Sequence, residues 1–410
     1  MALIKLEQTL LQKLADLRDK NALKGKETVF TGIKEGENGQ GPRFYLADQG
    51  DREFLRMNSN SYLGLSFAKE VIEAEEQAVA AFGTGPGAVR FISGTWKPHV
   101  ELEKKLAQFH HREAAMIFSA AYATIMGILP PLIDKETLVI SDALNHNCII
   151  NALRLSRPGA KEIYRHLDMV DLETKLRENC GKFKRVIVVT DGIFSMRGDY
   201  APLDSLVQLC ENFQSKFTEG IISVVDDSHG VGAFGVTGRG TEEYTGAGVD
   251  ILVATLGKAL GVNGGYVTAS QPVIDFLRET APFYVYSNPI TPSEAAAVAR
   301  ALEIVDSPQG IGLLDSMRQQ TKKFEDGLKN LGYEVISSEH PIVPLMIRDT
   351  EKTADLVRFL FDNNILVTGL NYPIVPKGDE EIRFQISAGH TDQDIDQALD
   401  MLKKYLEARR

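Results

Sequence analysis

Cysteine is scarce in this chain. There are three in 410 residues, Cys148, Cys180 and Cys210, and none forms a CxxC pair. An odd, scattered set suits neither a disulfide framework nor a structural zinc site, and it fits a reducing compartment. Long apolar runs are missing as well, since none approaches the roughly 18 residues needed to span a bilayer. The N-terminal stretch MALIKLEQTLLQKLADLRDKNALKGKE lacks an apolar core and reads as a charged amphipathic helix, so no secretory signal is expected. Positive charge is also short, with 45 Lys and Arg against 56 Asp and Glu and a formal charge of -11. Nucleic-acid binding needs a basic face, so that class is disfavoured; a local pocket for an anionic small molecule is not. Repeats and low-complexity tracts are absent. A cytoplasmic globular protein is the expectation.

What is present points to an α/β fold. Hydrophobic residues make up 43% and charged residues 25%, and the length favours two domains. From about residue 60 to 290, short β-branched runs alternate with helical stretches. The strand candidates are AAMIFS, TLVISD, KRVIVVTDGIF, GIISVVDDSH, DILVATLG and GGYVTAS. They are apolar on both faces, as in a mostly parallel sheet covered by helices. The expected division is an N-terminal helix and arm over 1–59, a large domain over 60–290, and a smaller C-terminal α+β domain over 291–410.

In open α/β sheets, ligands lie beyond the carboxyl ends of the strands. Here those ends deliver His146 (SDALNHN), Ser195 (TDGIFSMRGD), Asp226 and His229 (VVDDSHG), and Thr255 and Lys258 (LVATLGK). TLGKAL is no P-loop, because Leu252 stands at the leading glycine position and Ala259 follows the lysine. GxGxxG after the first strand and GxSxG are both missing. No metal site is expected: His110 and His111 are adjacent on a helix and cannot face one ion. They are expected to face solvent, as are His166, His340 and His390.

One cofactor uses the whole set. Pyridoxal phosphate needs an amine to hold it, which Lys258 provides, and a carboxylate against its ring nitrogen, which Asp226 provides. Ser195 and His229 suit its phenolic oxygen, and His146 can stack on its ring. Thr255 and the backbone at Ala121 and Tyr122, where a helix of small residues opens, suit its phosphate.

These motifs resemble a family. VVDDSHGVGAFGVTGRG followed by TLGKALGVNGGYV is similar to the α-oxoamine synthases, a branch of the fold-type I pyridoxal phosphate enzymes that condense an amino acid with an acyl-CoA. The likeness runs from NSNSYLGL through GAVRFISGTWKPHVELEKKLAQF to YPIVPKGDEEIRFQISAGHT, nearly the whole chain. It implies an aspartate aminotransferase-like fold. It also implies that Lys258 is the Schiff-base lysine and general base, with a pKa below the ordinary lysine value, and assigns the other cofactor contacts as above. Arg383, with Asn60 assisting, would bind the amino-acid carboxylate. The family is dimeric, so Ser287 and Asn288 would reach the partner's cofactor phosphate.

Within the family the likeness is strongest to the branch that joins glycine to acetyl-CoA, giving 2-amino-3-oxobutanoate. The alternatives are a decarboxylating condensation with a longer acyl-CoA and an aminotransferase. Three motifs depart from the glycine branch. The phosphate turn reads Ala121-Tyr122-Ala123-Thr124-Ile125 in place of Cys-Phe-Asp-Ala-Asn. Arg197 stands where an acidic residue is common, and His-Pro is missing after Leu63-Gly64-Leu65. Residues 123–125 are expected close to the acyl group, which leaves its length open.

Overall fold

The computed structural model describes residues 2–19, 23, 26–372 and 374–409. Most of residues 20–25 in the N-terminal stretch and Pro373 in the YPIVPKG motif lie outside the described residues. The chain forms two compact units. The larger comprises Asn60–Gln319 with Ser338–Pro341; the smaller comprises 1–59, Gln320–Ser337 and Ile342–Arg410.

The larger unit is built on a seven-stranded sheet, numbered here along the chain. Its strands are β1 (Ala114–Phe118), β2 (Thr137–Asp142), β3 (Ala160–Tyr164), β4 (Arg185–Asp191), β5 (Gly220–Asp226), β6 (Ile251–Thr255) and β7 (Gly265–Ala269). Their order is β1-β7-β6-β5-β4-β2-β3, with only β7 antiparallel to its neighbours. In β4, Ile187 and Val189 pack into one apolar layer while Val186 and Val188 enter the opposite one. This period-2 alternation with both faces apolar is what a parallel sheet between helices requires. Fully burying each such side chain contributes about 1.5–3 kcal/mol.

Six of the seven strands coincide with the apolar runs in the sequence. The seventh, β3, is an edge strand in which Lys161 and Glu162 interrupt the apolar pattern, and only Tyr164 is buried. An edge strand has one neighbour and one wet side, so it carries no continuous apolar signal.

The boundary at 290 is not where the units divide. Helix Pro292–Val305 packs on helices Lys69–Phe82 and Lys97–Phe109 of the larger unit. The change of unit falls within helix Pro308–Asn330, whose Phe324 and Leu328 enter the core of the smaller unit. Residues 1–59 are not a separate layer either. Leu55 and Met57 lie in that same core, strand Leu55–Arg56 pairs in parallel with Ile365–Leu366, and buried Arg43 bonds Asp394 at 2.7 Å. The smaller unit's four-stranded sheet has the order Glu334–Val335, Ile342–Met346, Glu381–Gln385, Thr368–Leu370, all antiparallel, and helices Thr350–Asp362 and Asp392–Glu407 belong to the same unit.

Candidate active site

Four strands of the larger unit end on a polar residue at the same edge: Asp142 on β2, Asp191 on β4, Asp226 on β5 and Thr255 on β6. The antiparallel β7 begins at that edge with Gly265, opposite Thr255 on one side and Phe118 on the other. A Cβ at Gly265 would fall 2.3 Å from the backbone nitrogen of Ala121, so only glycine lets the helix Ala121–Leu132 start so close to the sheet. That helix opens with no side-chain cap, which leaves its first N–H groups facing the cleft.

The cleft encloses about 280 Å³. Its walls include Ala121, Tyr122, His146, Ser195, Asp226, His229, Thr255 and Lys258, so eight of the sequence candidates converge. Ser287 and Asn288 do not line it. They lie on the segment before helix Pro292–Val305, where Ser287 Oγ donates to the carbonyl of Asn288 at 3.5 Å. Asn60 is not a lining residue either, but its side-chain oxygen accepts from the hydroxyl of Tyr62 at 3.3 Å. Arg383 lies in the other unit, mid-strand in Glu381–Gln385. Thr124 and Ile125 are buried on the inner face of their helix, and Thr124 Oγ1 bonds back to Ala120, so this pair does not shape the cleft.

Lys258 sits three residues past the end of β6. Thr255 Oγ1 accepts from the N–H of Gly257 at 3.1 Å and donates to the carbonyl of Gly264 at 3.2 Å, which closes the turn. The Lys258 carbonyl accepts from Gly261, a left-handed residue (φ 76°) whose added Cβ would lie 2.4 Å from the nitrogen of Ser66. Lys258 is half-buried on this hydrogen-bonded loop.

His146 caps the helix Asn147–Leu155, its Nδ1 accepting from the N–H of Cys148 at 3.2 Å. Burial, reinforced by Lys258 and opposed by Asp226, lowers its pKa. A neutral ring that accepts at Nδ1 carries its proton on Nε2.

Residues that sequence reasoning passed over complete the floor. Asp191 pairs with Asp226 in register across β4 and β5. Its Oδ2 accepts from the backbone N–H of His146 at 3.0 Å, while its buried Oδ1 has no hydrogen-bond partner. Burial and the neighbouring Asp226 hold the Asp191 carboxyl well above the usual carboxylate range. Cys148 donates its S–H to Asp226 Oδ2 at 3.6 Å, and burial pushes that thiol far up. Asp191 could have been found, because it ends its strand as Asp226 does; Cys148 carries no comparable signal.

Three histidines expected in solvent are instead buried. His110 Nε2 meets the hydroxyl of Tyr266 at 2.7 Å, His340 Nε2 meets the carbonyl of His229 at 2.9 Å, and His390 Nε2 meets that of Arg56 at 3.0 Å. His166 is largely buried between two aspartates. Of these five histidines, His111 alone is exposed.

Residues 52–402 match the family model for class I and II aminotransferases. The chain is 37% identical over 402 residues to the bovine mitochondrial 2-amino-3-ketobutyrate coenzyme A ligase, covering 97% of this chain and 92% of that one. It is also 37% identical over 374 residues to 8-amino-7-oxononanoate synthase 1 of Bacillus velezensis, covering 90% and 92%. The chain belongs to the α-oxoamine synthase family. This α-oxoamine synthase is a fold-type I enzyme whose cofactor is pyridoxal 5'-phosphate. It superposes on serine palmitoyltransferase from S. paucimobilis, solved with a bound PLP–myriocin adduct, with a TM-score of 0.86 at 25% identity over 99% of this chain and 98% of that one.

The cleft of this α-oxoamine synthase suits that cofactor chemically. It offers one amine, the carboxyl groups of Asp226 and Asp191, the latter with one buried oxygen lacking a hydrogen-bond partner, two imidazoles, the hydroxyls of Ser195, Ser228, Thr255 and Tyr122, and an uncapped helix start. Among the described residues, no group of three or more His, Cys, Asp or Glu could hold a metal, and no helix is long and apolar enough to cross a membrane.

Proposed function

We propose that this enzyme condenses glycine, or another small amino acid, with an acyl-CoA, releasing CoA and forming an α-amino-β-keto acid. The supporting observation is the gathering of Lys258, Asp226, His146, His229, Ser195 and Thr255 around one cleft. In this reading Lys258 holds pyridoxal phosphate. Thr255 and the backbone of Ala121 and Tyr122 hold its phosphate, Ser195 and His229 its phenolic oxygen, and His146 stacks on its ring. When bound, the cofactor supplies an electron sink for the carbon beside the substrate's amine.

Asp226 keeps the ring nitrogen protonated. The raised pKa of the neighbouring Asp191 limits the negative charge beside Asp226, and Cys148 adds a weak donor to the Asp226 carboxyl. The Nζ of Lys258, half-buried in the cleft, would act as the base that takes the proton from Cα. Arg383, whose fork pairs two oxygens at once, and Asn60 are the proposed partners of the amino-acid carboxylate.

Acetyl-CoA is the proposed acyl donor. A longer donor with loss of carbon dioxide is the second reading, because relatives named 8-amino-7-oxononanoate synthase match as well as those named 2-amino-3-ketobutyrate coenzyme A ligase. We further propose a cytoplasmic homodimer in which Ser287 and Asn288 serve the partner's phosphate site. The exposed stripe Leu3, Leu6, Leu10, Leu14 and Leu17 on helix Ala2–Asp19 supports self-association, and three free cysteines support a reducing compartment.

The deciding experiment is thiol release with glycine and acyl-CoAs of increasing length, with the product weighed by mass spectrometry. Release with acetyl-CoA and a product retaining the carboxylate is expected. Silence with every donor, together with amine transfer from alanine or glutamate, would replace this reading with an aminotransferase.

A further inference from the structure

His166 is not among the residues that line the cleft, yet both of its ring nitrogens are engaged by loops that lead to it. Nδ1 lies 2.9 Å from Oδ1 of Asp142, and Nε2 lies 3.2 Å from Oδ2 of Asp199. A carboxylate only accepts, so a ring held between two of them donates from both nitrogens and is an imidazolium. The ring also meets Phe194 edge-on, with centroids 4.4 Å apart at 86°.

The two aspartates belong to different loops. Asp142 ends β2 and shapes the turn to His146: its Oδ1 accepts from the N–H of Leu144 at 2.8 Å, and its Oδ2 from that of Leu167 at 3.0 Å. Asp199 closes the loop that carries Ser195. Its carbonyl accepts from the N–H of Phe194 at 2.9 Å, and its carboxylate also accepts from Nε of Arg197 at 2.8 Å. A single charged ring thus joins the turn that presents His146 to the loop that presents Ser195.

We propose that His166 is a positioning residue of the cofactor site, a cationic clamp that sets the spacing between His146 and Ser195. The inference rests on the proposed cofactor roles of those two residues. Arg197 has a task in the clamp: it shares the Asp199 carboxylate with the imidazolium.

The clamp depends on charge and therefore on pH. The ring faces Asp142 on β2 and Asp199 on the Ser195 loop; Arg197 pairs with Asp199, and Tyr164 on β3 is in register with Asp142. Asp191 on β4 is within electrostatic reach of Asp142. Burial alone would lower the His166 pKa, but the hydrogen bonds to Asp142 and Asp199 outweigh it and raise the value from 6.5 to about 9. The clamp is complete below 6.5 and is lost as the pH rises through about 9.

The test compares pyridoxal phosphate dissociation constants of the wild-type protein and His166→Gln across pH, by fluorescence titration. Glutamine can bond one aspartate but cannot carry the charge. At neutral pH the variant is expected to bind on the order of tenfold more weakly. The ratio of the two constants, which cancels titrations common to both proteins, should fall toward one as the pH passes about 9. A ratio of one at neutral pH overturns the proposal, and so does a raised ratio that ignores pH, which marks a merely structural role. Failure of the wild-type protein to bind pyridoxal phosphate would instead remove the site reading beneath it. If His166→Gln does not fold, Asp199→Asn supplies the test. Losing one carboxylate should move the pH at which cofactor affinity weakens toward neutral, and an unmoved profile overturns the clamp.

Discussion

The hydroxyl of Tyr62 lies 2.7 Å from Nδ1 of His229. Tyr62 is fully buried, its ring meets His340 edge-on at 5.2 Å, and His340 in turn bonds the His229 backbone. The imidazole that lines the cleft is thus oriented by two residues from remote parts of the chain. Tyr62→Phe keeps the aromatic packing and removes the hydroxyl. It should cost about 1–2 kcal/mol in urea unfolding and slow CoA release about tenfold at saturating acyl-CoA. Unchanged turnover would show that Tyr62 does not set the His229 ring.

Lys258→Ala removes the amine proposed both to hold the cofactor and to take the Cα proton. The visible absorbance band of the lysine-bound cofactor should vanish, and CoA release should fall by about 10²–10⁴. A retained band would take Lys258 out of its role.

Gly265→Ala tests the close approach of sheet and helix. The added Cβ would lie 2.3 Å from the nitrogen of Ala121 and 2.4 Å from its Cα, both backbone atoms that cannot rotate away. Overpacking of this kind costs about 1–3 kcal/mol. The displaced helix start should also weaken cofactor binding more than it weakens the fold, as read by equilibrium dialysis beside thermal unfolding.

Asp227 predicts a slope of stability with pH. Its fully buried carboxyl accepts from the N–H of Thr241 at 2.6 Å and its hydroxyl at 2.7 Å, yet burial still raises the pKa from 3.8 to about 7. A raised acid keeps its proton longer in the folded state than in the unfolded one. Its contribution to stability therefore falls as the pH climbs from 3.8 to about 7, and the cost, a few kcal/mol, is complete above that. Asp227→Asn can accept from the N–H and donate to the hydroxyl. It should flatten this slope and be at least as stable as wild type above neutral pH; urea midpoints across pH would show it.

The sequence patterns located most of the sheet and most of the cleft, and for one reason. Parallel strands buried on both faces must be apolar throughout, so their ends are marked where the apolar run stops, and the polar residue found there lies at the ligand edge. Asp226, Thr255 and, a turn or two later, His146, Ser195, His229 and Lys258 were legible in this way. β3 was not, because a charged edge strand breaks the pattern. Cys148 and Tyr62 were not, because an apolar or aromatic residue announces nothing about the atom it touches. His110, His340 and His390 were assigned to solvent, since histidine alone does not reveal a partner more than 100 residues away.

The sequence by itself marked most of the residues that line the strand-end cleft, and the family to which their order belongs, because an apolar run and the polar residue that ends it are local properties of the chain. Only the tertiary structure decided their states. Asp191 and Asp226 are alike in sequence, each a strand-ending aspartate, yet burial beside Asp226 holds the Asp191 carboxyl well above the usual carboxylate range. His166 is an imidazolium because strands and loops distant in sequence place a carboxylate on each nitrogen. Protonation is set by desolvation and by charges through space, and neither can be read along the chain.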